Sequence, residues 1–117
     1  MKIKQVIDRL NLQVIVPPRR DYEVMGGYTG DLLSQVVSKA GSSFIWITIH
    51  NHLNVVAVAS LLNLAGVIIA EDIKPAAETV DKALTEGVCL LSSSDTSFEV
   101  AGELYLLLGY GVGLCSR

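Results

Sequence analysis

A chain of 117 residues fits a single domain and can bury roughly two thirds of the surface its unfolded form exposes, so no disulfide framework is required. Nine Lys and Arg against twelve Asp and Glu give a net charge of −3, and the basic residues are scattered, which excludes the basic stripe of a nucleic-acid or anionic-membrane binder. Half of the residues are hydrophobic and the mean hydropathy is +0.46, a high apolar load for so small an interior.

In IKQVIDRL, Ile3, Val6, Ile7 and Leu10 recur at helical spacing and predict a short amphipathic helix. LQVIV follows as a strand, which PPRRD ends because Pro17 and Pro18 cannot continue a ladder. YEVMGGY reads as a second short strand or an extended approach to a glycine turn, where Gly26 or Gly27 is expected at positive φ. Asp31 is placed to cap a helix from Leu32 to about Lys39, with Leu32, Leu33, Val36 and Val37 on its apolar face.

From Ser43 the rhythm is regular. Strand FIWITI, turn HNHLN and helix VVAVASLLNL are followed by strand GVIIA, turn EDIKP and helix AAETVDKALTEG, then strand VCLL, turn SSSDTS and helix FEVAGELYLLL. Asn54 is expected to cap the helix VVAVASLLNL, Pro75 suits a first turn, Gly87 a helix end, and Asp95 with Glu99 an acidic helix start. GVIIA and VCLL are continuous apolar runs, as strands covered on both faces require. The expected fold is α/β: a three-layer α/β/α sandwich of about five strands, its C-terminal three βα units parallel, with residues 1–117 as one domain.

Ser42 to Ala70 carries no charged residue, but HNHLN, Asn63 and Gly66 break it into pieces too short to span a bilayer. Cys89 lies in an apolar run and Cys115 in the tail, without a C-x-x-C motif, and MKIKQVIDRL lacks the apolar centre of a secretory signal. A reduced, cytoplasmic protein is expected.

Ligands of parallel sheets collect beyond the carboxyl ends of the strands. That edge gathers Thr48, His50, Asn51, His52 and Asn54, then Glu71 and Asp72, then Ser92, Ser93, Ser94 and Asp95, and is joined by Tyr28, Thr29 and Asp31 if EVMGGYTGD enters its helix in the same sense. The expected ligand-binding residues are Gly26, Gly27, Tyr28, Asp31, His50, Asn51, His52, Asn54, Ser93 and Asp95. The glycine stretch matches neither nucleotide fingerprint and no Lys follows it, so its offer to an anion is backbone N–H groups at a helix start. His50 and His52 point the same way on an extended segment, but a third metal ligand is missing and no metal is expected. SSSDTS has no nucleophile elbow and reads as a capping turn, while Trp46 between Ile45 and Ile47 reads as core. No catalytic set is assembled and no cofactor is implied.

Three stretches, VMGGYTGDLLSQV, WITIHNHLNVVAVASLLNLAGVII and LLSSSDTSFEVAGELYLLLG, together make the chain resemble the stand-alone members of the DRTGG domain family over roughly residues 2–109. This family is related to the N-terminal domain of HPr kinase/phosphorylase. The resemblance implies an α/β/α domain that accompanies catalytic or sensory modules without catalysing a reaction. Where the family has Asp-Arg-Thr before the glycines this chain has Glu23, Val24 and Met25, so only a backbone role for Gly26 and Gly27 carries over. The chain has no P-loop and is not a kinase by itself.

The expected function is a non-enzymatic regulatory or ligand-sensing domain that binds a partner protein or a small anionic metabolite, a nucleotide among the possibilities. The alternative is a small-molecule enzyme acting on phosphorylated or acylated substrates with His50 or His52 as acid or base. Neither a nucleic acid nor a membrane is an expected partner. A homodimer or larger symmetric assembly is expected through ELYLLLGYGVGL, where Tyr105, Leu106, Leu107, Leu108, Tyr110, Val112 and Leu114 cannot all face one sheet.

Overall fold

The computed structural model describes residues 1–111. Helices and strands follow in the order α1 (Ile3–Arg9), β1 (Gln13–Val16), β2 (Gly26–Thr29), α2 (Leu33–Lys39), β3 (Phe44–Thr48), α3 (Leu53–Leu62), β4 (Gly66–Ile69), α4 (Ala77–Glu86), β5 (Leu90–Ser92) and α5 (Ser97–Leu107). The strands form one sheet ordered β1-β5-β4-β3-β2, with β1 antiparallel to β5 and every other neighbour parallel. The parallel set thus extends beyond the three units read from the sequence. β2 joins it because Gly26–Thr29 pairs in register with residues 44–47 of β3.

From β2 to β5 the chain steps across the sheet in one direction. Right-handed crossovers then force α2, α3 and α4 onto one face. There Val36, Val55, Val56, Ala59 and Ala83 pack on Trp46, Val67, Ile69 and Leu90. On the opposite face, Ile3 and Val6 of α1 and Val100 and Leu104 of α5 pack on Ile45, Ile47, Ile68 and Leu91. Successive strand residues serve opposite layers, so both must be apolar, which explains the unbroken apolar runs. No helix among the described residues is long and apolar enough to cross a membrane.

Several local expectations are corrected. Gly26 and Gly27 lie inside β2 and neither takes a positive φ. Their reason is space: a Cβ would stand 2.8 Å from the Phe44 ring at Gly26 and 3.0 Å from Leu104 Cδ2 at Gly27. Asp31 does not cap α2, whose N-cap is Leu32 without a side-chain bond. Asn54 lies within the first turn of α3, and His52 stands at the cap position, also without a side-chain bond. The start of α5 is a capping box of Thr96 with Glu99, one residue after Asp95, because the hydroxyl must stand three positions before the glutamate. Pro75 precedes α4, which begins at Ala77.

Gly87 closes α4 as read, at φ 74. Arg19 covers that helix end, its Nη2 donating to the carbonyls of Leu84 and Thr85 at 3.2 Å each. A Cβ on Gly87 would stand 2.5 Å from the Arg19 Cζ. Val112, Leu114 and Cys115 lie outside the described residues.

Two outcomes follow from this packing. Gly87→Ala loses about 1–3 kcal/mol in urea unfolding, since it combines left-handed strain with displacement of the Arg19 cap. Burial pushes the Cys89 thiol from 9.0 up to about 12. Above the unfolded value the unfolded chain releases a proton that the folded chain keeps, so stability falls as pH rises from about 9 toward 12. Cys89→Ala flattens that part of the stability–pH curve.

Candidate functional site

The carboxyl ends of β2, β3, β4 and β5 carry four loops, residues 30–32, 49–52, 70–76 and 93–96. Trp46, wholly buried in β3, donates its Nε1–H to the Gly30 carbonyl at 2.8 Å and so fixes the first loop to the core. Asp31 turns its carboxylate toward β3. Its Oδ1 accepts from the Thr48 hydroxyl at 2.7 Å and from the Ile49 N–H at 2.9 Å, while the Thr48 oxygen accepts from the His50 N–H at 3.0 Å. Two donors converging at the end of β3 outcompete the helix start for this carboxylate, so the cap is forgone.

His50 follows, half-buried, with its Nδ1 enclosed and without a hydrogen-bond partner. The exposed His52 ring meets it edge-on, centroids 5.9 Å apart. Asn51 holds the neighbouring loop: its Nδ2 donates to the Lys74 carbonyl at 2.8 Å, and its own carbonyl accepts from the Thr79 hydroxyl at 2.9 Å.

At the ends of β4 and β5 the loops diverge to opposite faces of the sheet, one into α4 and the other into α5. Glu71 and Asp72, both in the left-handed region, bridge the divergence by donating their N–H groups to the carbonyls of Asp95 and Ser93. Glu71 Oε2 also accepts from the Ser97 N–H at 3.2 Å. The carboxylate of Glu71 therefore occupies the N-terminus of α5, the position an anionic ligand would take.

The ten expected residues fall into three places. Asp31, His50, Asn51, His52 and Asn54 gather at the end of β3. Ser93 and Asp95 lie two strands away, roughly 10 Å across the sheet, in a polar cleft of about 210 Å³ shared with Asn11, Gln13 and Asp72. Gly26, Gly27 and Tyr28 line a largely apolar cleft of about 230 Å³ between β2 and α5, with Leu104, Tyr105 and Tyr110. The sequence reading missed Asn11 and Gln13, which reach this edge because β1 runs antiparallel to β5; the left-handed Asn11 between helix and strand is the local signal. Among the described residues no three His, Cys, Asp or Glu side chains converge as metal ligands.

The opposite edge holds a cleft of about 390 Å³ lined by Arg19, Arg20, Tyr22, Asn63 and Glu86. Arg19 is committed to the end of α4, and the Arg20 guanidinium lies 5.8 Å from the Tyr22 ring centroid.

No family model matches the chain, and no curated protein matches its sequence. Among solved structures it is similar to the CBS and DRTGG domains from the regulatory region of a Clostridium perfringens pyrophosphatase, a structure that contains the activator diadenosine tetraphosphate. The match has a TM-score of 0.69 at 13% identity and covers 87% of this chain and 46% of that one. This chain thus spans about half of that structure, and the likeness is one of fold.

The Asp31–Thr48 bond holds the edge together and is open to measurement. Thr48→Val and Asp31→Ala are each expected to destabilise by about 1–2 kcal/mol, and the double variant by less than their sum, because both remove the same hydrogen bond. Urea unfolding of the four proteins gives the cycle.

Proposed function

We propose that the chain is a regulatory, ligand-sensing domain that takes the anionic or polar group of a small metabolite at the end of β3, where α3 begins. The observation that carries this reading is His50, whose enclosed Nδ1 has no partner, beside His52 at a helix start without a side-chain cap. α3 also lacks an acidic residue in its first turn, whereas α4 has Glu78 and α5 has Glu99. Among the three longer helices, α3 is thus the one with neither a side-chain cap nor an acidic residue in its first turn to offset the positive end of its dipole. The ligand-facing residues are His50, His52 and Asn54. Asp31 and Asn51 position the loop.

Binding suits this arrangement better than turnover. Asp31 is bonded to Thr48 and Ile49 and neither bond orients an imidazole, so the third member that an acid–base histidine requires is not supplied. A regulatory role also agrees with the fold of the pyrophosphatase region, and its activator makes a nucleotide polyphosphate the first ligand to try. The expected assembly is a symmetric homodimer.

The test is a thermal-shift series with diadenosine tetraphosphate, ATP and acetyl phosphate, followed by amide chemical-shift mapping of any hit. A ligand at about 100 times its Kd adds roughly 2.7 kcal/mol, visible as a shift of several degrees. The expected perturbations cluster on residues 50–54 and are lost in His50→Ala. Perturbations confined to Arg20 and Asn63, at the opposite edge, would overturn the assignment.

A further inference from the structure

α5 is apolar on two sides. Val100 and Leu104 face the sheet, yet Phe98, Tyr105 and Leu106 are 87%, 47% and 63% exposed. With Gly102 these residues recur at helical spacing, so they form one outward stripe, contiguous through Tyr105 with the apolar cleft beside β2. Glu99 and Glu103 lie on the remaining flank and leave the stripe uncharged. A helix with apolar residues on its outward face as well as its inward one is built to be covered twice.

Gly102 adds a second constraint. A Cβ there would meet nothing within 4 Å in the single chain, so the fold itself does not call for glycine. A glycine in mid-helix weakens the helix relative to alanine. The missing side chain leaves room for close approach by another backbone.

We propose that this face joins two copies of the chain in a two-fold symmetric dimer, with α5 packed antiparallel on α5 across Gly102. The proposal rests on the assembly named in the preceding reading and is independent of the ligand. The stripe is self-complementary: Phe98 and Leu106 stand one turn to either side of Gly102, so an antiparallel copy sets Phe98 against Leu106 of the partner subunit and the reverse. Gly102 lies at the crossing, where the absence of a side chain lets the helices meet. Four aromatic side chains, two leucines and the adjoining clefts amount to on the order of 1,000 Å², the size at which an interface becomes specific.

Light scattering after size exclusion at tens of micromolar tests this. The wild type is expected at twice the chain mass of 12.6 kDa. Phe98→Asp is expected to elute as a monomer with unchanged circular dichroism, because its side chain has few contacts to lose within one chain. Gly102→Gln keeps the fold and weakens dimerisation at least tenfold, whereas Leu61→Asp, an exposed apolar site on α3, leaves the dimer intact. A monomeric wild type, or a dimer that survives both Phe98→Asp and Gly102→Gln, would overturn the proposal. Ligand shifts in the Phe98→Asp protein separate failure of the dimer from failure of the ligand site.

Discussion

The one-directional walk from β2 to β5 governs the rest of the molecule. It commits three crossover helices to a single face and leaves the other face to the two elements outside the walk, α1 and α5. Ile3 of α1 reaches Gly66 and Cys89 at β4 and β5, while Leu104 of α5 reaches Gly27 at β2. Two helices thus cover the area that three cover opposite. The apolar cleft between β2 and α5 is the shortfall, and the outward apolar stripe of α5 adjoins it.

What was legible in the sequence follows from how far each signal acts. Apolar runs too short for helices, separated by amphipathic stretches, marked β3, α3, β4, α4, β5 and α5 because each pattern is local and the layers on both faces demand it. Gly87 was legible too, since a left-handed helix end favours one residue type. Gly26 and Gly27 looked the same on paper but are kept for clearance from Phe44 and Leu104, and those contacts come from other elements. Asp31 has the composition of a helix cap, yet its partner Thr48 is 17 residues away. The pairing of Gln13 with Ser92 lies beyond any local pattern, so the part of the candidate site contributed by β1 was invisible.

Charge explains why the candidate site splits. The edge beyond the strands carries Asp31, Glu71, Asp72 and Asp95, and three of the four are engaged: Asp31 by Thr48 and Ile49, Glu71 by the start of α5, Asp72 by Lys74 at 3.1 Å. Carboxylates near helix N-termini offset the positive end of the helix dipole and hold the loops in place, and in doing so they remove anion-binding capacity from the β4–β5 end. The β3–α3 end escapes this because HNHLN contributes imidazoles and amides where the other loops contribute carboxylates. A run of residues that looked like one polar edge is therefore two environments of different composition, one with the carboxylates of Glu71, Asp72 and Asp95 and one with imidazoles and amides beside the single, engaged carboxylate of Asp31.

α5 connects these environments to the outside of the molecule. Its first turn is held by Thr96, Glu99 and the carboxylate of Glu71, and Glu71 belongs to the loop that Asn51 grips through Lys74. Its second half rests on Gly27 through Leu104 and presents Tyr105 and Leu106 outward. Residues 50–52 are thus connected to the start of α5 through two short loops pinned by hydrogen bonds. The loop proposed to face a ligand and the stripe proposed to face a second copy thus belong to one continuous set of packed elements. In the proposed reading, sensing and assembly are joined without a hinge between domains, because α5 is pinned to the loops at one end and carries the outward stripe along its length.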